Sequence, residues 1–163
     1  MSVVLYRLAG VGVACVLATS ASAQLLARKD LSAAMALTIA QSTIASCAAN
    51  GHRGSVTGGG RHGEVLVQVG GDGTGPHTME NSFKKAYTSR TFHIPSGDMA
   101  KRFKDNPQLG AIFLTNVTTG QGALPIMLGE EVIGAVGASG APGGEKDEAC
   151  VKAGIEKVAD QLK

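Results

Sequence analysis

The chemistry this chain can offer rests on four histidines, two of its three cysteines (Cys47 and Cys150) and a glycine run that leads into acid. His77 ends the loop Gly71-Asp-Gly-Thr-Gly-Pro-His, directly after Pro76. A neutral imidazole at such a position can ligate a metal. The competing reading is a ring that hydrogen-bonds its own loop. His52, His62 and His93 stand beside turn residues and read as surface loop positions. Neither H-E-x-x-H nor C-x-x-C occurs, which argues against a dedicated zinc site.

The stretch Gly134-Ala-Val-Gly-Ala-Ser-Gly-Ala-Pro-Gly-Gly-Glu-Lys-Asp-Glu-Ala149 has the look of a phosphate cradle. A Walker loop requires G-x-x-x-x-G-K-[ST], but Glu145 stands where the second glycine belongs and no hydroxyl follows Lys146. Gly134, Gly137 and Gly140 are spaced three apart, which breaks the dinucleotide fingerprint. Glu145, Asp147 and Glu148 fall in the first turn of the last helix. There they complement its positive end and repel phosphate. The glycines therefore read as room for a close backbone approach and as a tight turn into the helix. Ser139 lies in Gly137-Ala-Ser-Gly140, which is not a nucleophile elbow.

Composition narrows the function classes. The net charge is +2 over 163 residues and the basic residues are scattered, which disfavours nucleic acid. Tryptophan is absent and aromatics are 4% of the chain, too few for a base-stacking platform. Arg7, the apolar run Leu8–Ala18 and the small-x-small triplet Ala21-Ser22-Ala23 have the three-part layout of a signal peptide. Cleavage between Ala23 and Gln24 is expected, giving a periplasmic or secreted protein. No later apolar run is long enough to span a membrane. Residues 24–163 suit one domain. Cys47 and Cys150 remain after cleavage, on the first and last predicted helices. They form a disulfide if those helices are neighbours in an oxidising compartment, and otherwise are two small buried thiols.

The elements that must position these groups follow from pattern. Ser32–Asn50 reads as a helix ended by Asn50-Gly51. Arg53–Thr57 and Glu64–Val69 read as strands joined by a loose glycine hairpin. Thr78–Arg90 reads as a helix capped by Thr78, with Met79, Phe83, Ala86 and Tyr87 as its apolar face and Lys84 and Lys85 outside it. A short helix spans Pro95–Lys104. Strands are predicted over Ala111–Val117, Leu124–Leu128 and Glu131–Ala138, then a helix over Glu145–Leu162. Strands in consecutive runs predict an α+β domain. Its antiparallel sheet has about five strands, with the N- and C-terminal helices packed on it.

Gly71-Asp-Gly-Thr-Gly-Pro-His-Thr78, Phe83-Lys-Lys-Ala-Tyr-Thr88 and the Ile133–Ala149 block together resemble the GlcG/HbpS-like haem-binding family, over about residues 36–162. The resemblance implies a profilin-like fold, a tendency to homo-oligomers, and non-covalent haem binding for sensing, scavenging or delivery. Covalent attachment is excluded, since no C-x-x-C-H occurs. On this reading His77 is the candidate haem iron ligand. Met79 and Tyr87 would line the porphyrin, Lys84, Lys85 or Arg90 would pair with propionates, and Ser96 is a further contact. The alternative reading leaves Met79 and Tyr87 in the core. Other members imply an accessory protein or enzyme of small hydroxy-acid or diol metabolism, with a pocket near Asp72, His77 and Ser96. The first hairpin departs from the family pattern at Thr57–Gly63 and Gly71, which implies that it is looser here.

Overall fold

The structure is a computed structural model and describes residues 26–163. The expected signal segment and the Ala23–Gln24 cleavage point lie outside the described residues. Helix α1 (Ala33–Ala49) starts where the Ser32 hydroxyl accepts the Met35 amide, and it stops at Asn50. Strands β1 (Ser55–Gly59) and β2 (Val65–Gly70) form the first hairpin. Then come α2 (His77–Phe92), α3 (Ser96–Asp105), β3 (Ala123–Leu128), β4 (Glu131–Ser139) and α4 (Gly144–Glu156). The sheet order is β2-β1-β4-β3 and each neighbouring pair is antiparallel.

The sheet therefore has four strands, not five. Ala111–Val117 is β-branched and apolar enough for a strand but finds no strand partner. It forms a short 3-10 turn over Gly110–Phe113 instead, leaving Phe113 and Leu114 exposed. Val117 is its anchor, packed with Met99 and Phe103 of α3. The last helix also ends earlier than its stripe predicts, with Val158 and Leu162 carried past Glu156 by a second 3-10 turn.

Alternation along β1 sorts the two faces of the sheet. Val56 joins Ile39 of α1 and Val151 of α4 in the main core, with Ile126 and Val136 from the other strands. Each such side chain, fully buried, stabilises the fold by about 1.5–3 kcal/mol. Ser55 and Thr57 face the other way, toward α2. Two glycines set the spacing of these layers. A Cβ at Gly137 in β4 would lie 2.4 Å from the Ser82 carbonyl oxygen of α2, and one at Gly154 of α4 would lie 2.8 Å from the Ile39 carbonyl of α1. Where α1 and α4 cross, Cys47 is bonded to Cys150, with Cα atoms 5.2 Å apart.

The first hairpin is not loose. Gly60 donates to the Glu64 carbonyl at 2.9 Å, and a bulge at Gly58/Gly59 absorbs one residue. Arg61, expected in an open loop, is 7% exposed. Its guanidinium pairs with Asp30 and Glu131, clasping the N-terminal segment and the start of β4. The Arg61 hydrogen bond holds the Asp30 carboxyl below its ordinary range.

Candidate functional site

Helix α2 crosses the sheet on a polar underside, and this sets the chemistry at its mouth. Thr78 bonds Ser55 at 2.7 Å and Ser82 bonds Thr57 at 2.8 Å, hydroxyl to hydroxyl. Thr78 is thus no cap. It lies inside the helix, which begins at His77 after Pro76, and its hydroxyl donates to Gly75. Met79, Phe83 and Tyr87, read from sequence as the apolar face, are only half-buried, while Thr78, Ser82, Thr88 and Ser89 are buried. The helix tolerates this because each buried hydroxyl has a partner.

One turn above His77, the Asn81 amide donates to the Ser139 hydroxyl at 3.0 Å. A further turn on, Lys85 is 4% exposed, contrary to its expected place outside the packed face. Its ammonium donates to Asp147 at 2.8 Å and to the Ala138 carbonyl at 3.0 Å. Asp147 in turn accepts the Ala141 amide at 3.0 Å, which shapes the glycine-rich turn before α4. Asp147 is therefore a buried partner as well as a first-turn acid. These residues, with Gln121 and Gly140–Gly144, line an open polar cleft of about 400 Å³. Beside it Glu148 is pushed up from its ordinary carboxyl value by burial, and one of its oxygens is buried without a partner.

His77 belongs to this cleft and also to an adjoining one of about 390 Å³. The second cleft lies between the α1–β1 loop (Gly51, His52, Arg53) and the β2–α2 loop (Gly73, Thr74, Gly75), with Gly140 and Pro142 beside them. Two contacts join the loops at the base. Gly71 donates to the Gly54 carbonyl at 3.1 Å, and Ser55 meets Thr74 at 3.3 Å. His77 is exposed, and Cε1 and Nδ1 of its ring are the atoms that a Cβ on Gly75 would strike, at 2.8 and 2.9 Å. Nε2 is thus the ring nitrogen turned away from Gly75. Among the described residues only the His93 ring is held in a hydrogen bond, with Arg90 at 2.7 Å. Arg53 lies over Gly73 and is in no ion pair among the described residues.

The other residues singled out from sequence are spread along α2 or away from it. Met79 sets its sulfur over Gly70 at the end of β2, and Tyr87 covers Gly63 in the hairpin turn while packing on Phe83 at 5.8 Å. At about 1.5 Å per residue, Tyr87 is some 15 Å along the helix from His77. Lys84 pairs with Glu80 at 2.6 Å, and Lys85 is committed to Asp147. Arg90 is half-buried beside His93. Ser96 is fully buried and accepts the Ala123 amide at 3.0 Å, a role in holding α3 to β3. Asp72 faces a different hollow with Gln41 and Ile44, so Asp72, His77 and Ser96 do not form one pocket. The sequence reading missed His52, Arg53, Asn81 and Ser139. A glycine-flanked histidine just after a helix stop was the available signal for His52.

Iron porphyrin is the group the sequence resemblance implies; the His77 cleft offers donors for it, but Pro142 is the one apolar side chain among its lining residues, so its walls do not enclose a porphyrin. Imidazole is a common axial ligand for haem iron, and an uncommitted guanidinium suits a carboxylate tail.

The fold is an α+β domain with an open cleft that carries His52 and His77. The chain belongs to the HbpS-like family: the family model described as "Haem degrading protein HbpS-like" matches residues 31–156. The crystal structure of HbpS is similar at 27% identity and a TM-score of 0.78, covering 83% of this chain and 94% of that one. A double mutant of HbpS from Streptomyces reticuli is 26% identical, with a TM-score of 0.79 and coverage of 92% and 98%. PduOC, solved as a haem complex, shares the fold at 18% identity, with a TM-score of 0.71 and coverage of 78% and 94%. No curated protein matches the chain significantly. No helix among the described residues is long and apolar enough to cross a membrane.

Proposed function

We propose that this protein binds haem non-covalently at the His77 cleft, as an exported homo-oligomeric module for sensing, scavenging or delivering haem. One observation carries the reading. His77 stands exposed at the start of α2, its ring in no hydrogen bond among the described residues, on the wall of an open cleft. The haem-related family and the PduOC haem complex support it. The leader-like first 23 residues and the Cys47–Cys150 bond support export to an oxidising compartment. When bound, haem would supply a redox-active iron. The chain's own residues would ligate it through His77 and meet a propionate with Arg53. Titrating ferric hemin into the purified protein should shift the Soret band, and His77→Ala should weaken that shift. No spectral change in the wild type would sink the proposal.

A second reading has its own support. The cleft of about 400 Å³ beyond His77 presents Asn81, Ser139 and Gln121, groups suited to a small hydroxy acid or diol. A thermal-shift screen with such compounds tests it. A melting shift with them and none with hemin would favour the accessory role in their metabolism.

A further inference from the structure

We propose that the loop Leu109–Leu114, together with Lys101 and Lys104 of α3, docks the protein on an anionic lipid surface. The inference is independent of the haem reading. This short loop carries three large apolar side chains that the fold leaves in water: Leu109 is 39% exposed, Phe113 83% and Leu114 54%. Phe113 is the most exposed large apolar side chain among the described residues. Single apolar residues are ordinary on a surface, but a contiguous group marks a contact site.

The loop is built to present them. Its 3-10 turn is closed by the Ile112 amide donating to the Leu109 carbonyl at 3.1 Å and the Leu114 amide donating to the Ala111 carbonyl at 3.2 Å. Ala111 and Ile112 pack inward on the cluster of Met99, Phe103 and Val117. The Val117 amide then donates to the Leu114 carbonyl at 3.0 Å. Phe113 and Leu114 are thereby held outward on backbone that is already ordered and loses little freedom on docking.

Charge decides the occupant. From Met99 to Thr119 the chain carries Lys101, Arg102 and Lys104 against one acid, Asp105. None of the three cations is in an ion pair among the described residues. Lys101 and Lys104 border a hollow of about 430 Å³ whose walls include Phe103 and Ile112, so the ammonium groups lie beside the apolar loop. Cations next to exposed aromatic and aliphatic side chains suit a bilayer interface, where the apolar groups reach the acyl boundary and the ammonium groups meet phosphates. Each lysine near such a surface adds attraction. A second copy fits less well, because a two-fold contact through this face would bring like charges together.

The chain has no tryptophan, so Phe113→Trp places a single reporter in the loop. Mixed with phosphatidylcholine vesicles that contain phosphatidylglycerol, this variant should shift its emission to the blue, and high salt should reverse the shift. Vesicles of phosphatidylcholine alone should give little shift. The wild type should sediment with the anionic vesicles. Phe113→Ser/Leu114→Ser and Lys101→Glu/Lys104→Glu should each bind them at least about tenfold more weakly. All four side chains are exposed, and circular dichroism should show each variant folded as the wild type is. An emission spectrum that stays unshifted on anionic vesicles would overturn the proposal. Equal sedimentation of the wild type and Phe113→Ser/Leu114→Ser would overturn it too, since another part of the chain would then hold the lipid. So would a blue shift that grows with protein concentration in the absence of lipid, which would assign the loop to a second copy.

Discussion

Changing Asp147 to asparagine should destabilise the fold far more than an isosteric substitution normally does. Asp147 is 2% exposed and Lys85 4%, and their charged atoms are 2.8 Å apart. Asparagine keeps an oxygen for the Ala141 amide but removes the charge. The Lys85 ammonium is then buried with the Ala138 carbonyl as its remaining recorded acceptor. Breaking one half of a buried pair costs about 3–5 kcal/mol, because the surviving charge has no compensation. Against a domain stability of roughly 5–15 kcal/mol, that is a large share. Removing both charges, as in Lys85→Met/Asp147→Asn, should cost less than Asp147→Asn alone. The wild type, Asp147→Asn, Lys85→Met and the double variant form a cycle that urea unfolding can close. The reasoning is refuted if Asp147→Asn unfolds within about 0.5 kcal/mol of the wild type, a loss expected only of surface substitutions.

Three further outcomes follow from single contacts. Burial raises the Glu148 carboxyl above its ordinary 4.5, so its contribution is favourable below that value and is lost as pH rises through the folded pKa. Glu148→Gln should therefore gain stability relative to the wild type between pH 4 and 8, seen in melting temperatures across that range. Reducing the Cys47–Cys150 bond, which closes a loop with a sequence separation of 103, should cost roughly 2–5 kcal/mol in denaturant unfolding. Gly137→Ala should lower stability by at least about 1–3 kcal/mol in the same assay, since its Cβ would meet the Ser82 carbonyl and the Ala86 nitrogen, both backbone atoms.

Local signals carried much of the fold. The Asn50-Gly51 stop and the apolar stripe through Val151 and Ile155 are properties of neighbouring residues, and they place the end of α1 and the body of α4, though not the end of α4. The close approach of β4 to α2 at Gly137 also follows from glycine in a strand. What was hidden depends on partners far away in the chain. Lys85 looks like a surface lysine until Asp147, 62 residues on, is brought beneath it. The underside of α2 looks too polar to bury until Ser55 and Thr57 supply hydroxyls. Ala111–Val117 has strand chemistry but pairs with neither edge strand, β2 nor β3, and pairing is not encoded locally. His77 was legible because a proline and a glycine loop expose it. His52 was not, because only the folded chain sets its loop beside the start of α2.

The most direct measurement is a crystal structure of the protein grown with hemin, with iron located by anomalous scattering. The account predicts porphyrin density between the 51–53 and 73–77 loops, with the iron bonded to the His77 ring. Iron found elsewhere on the molecule, or a His77 ring left unligated beside an ordered haem, would contradict it.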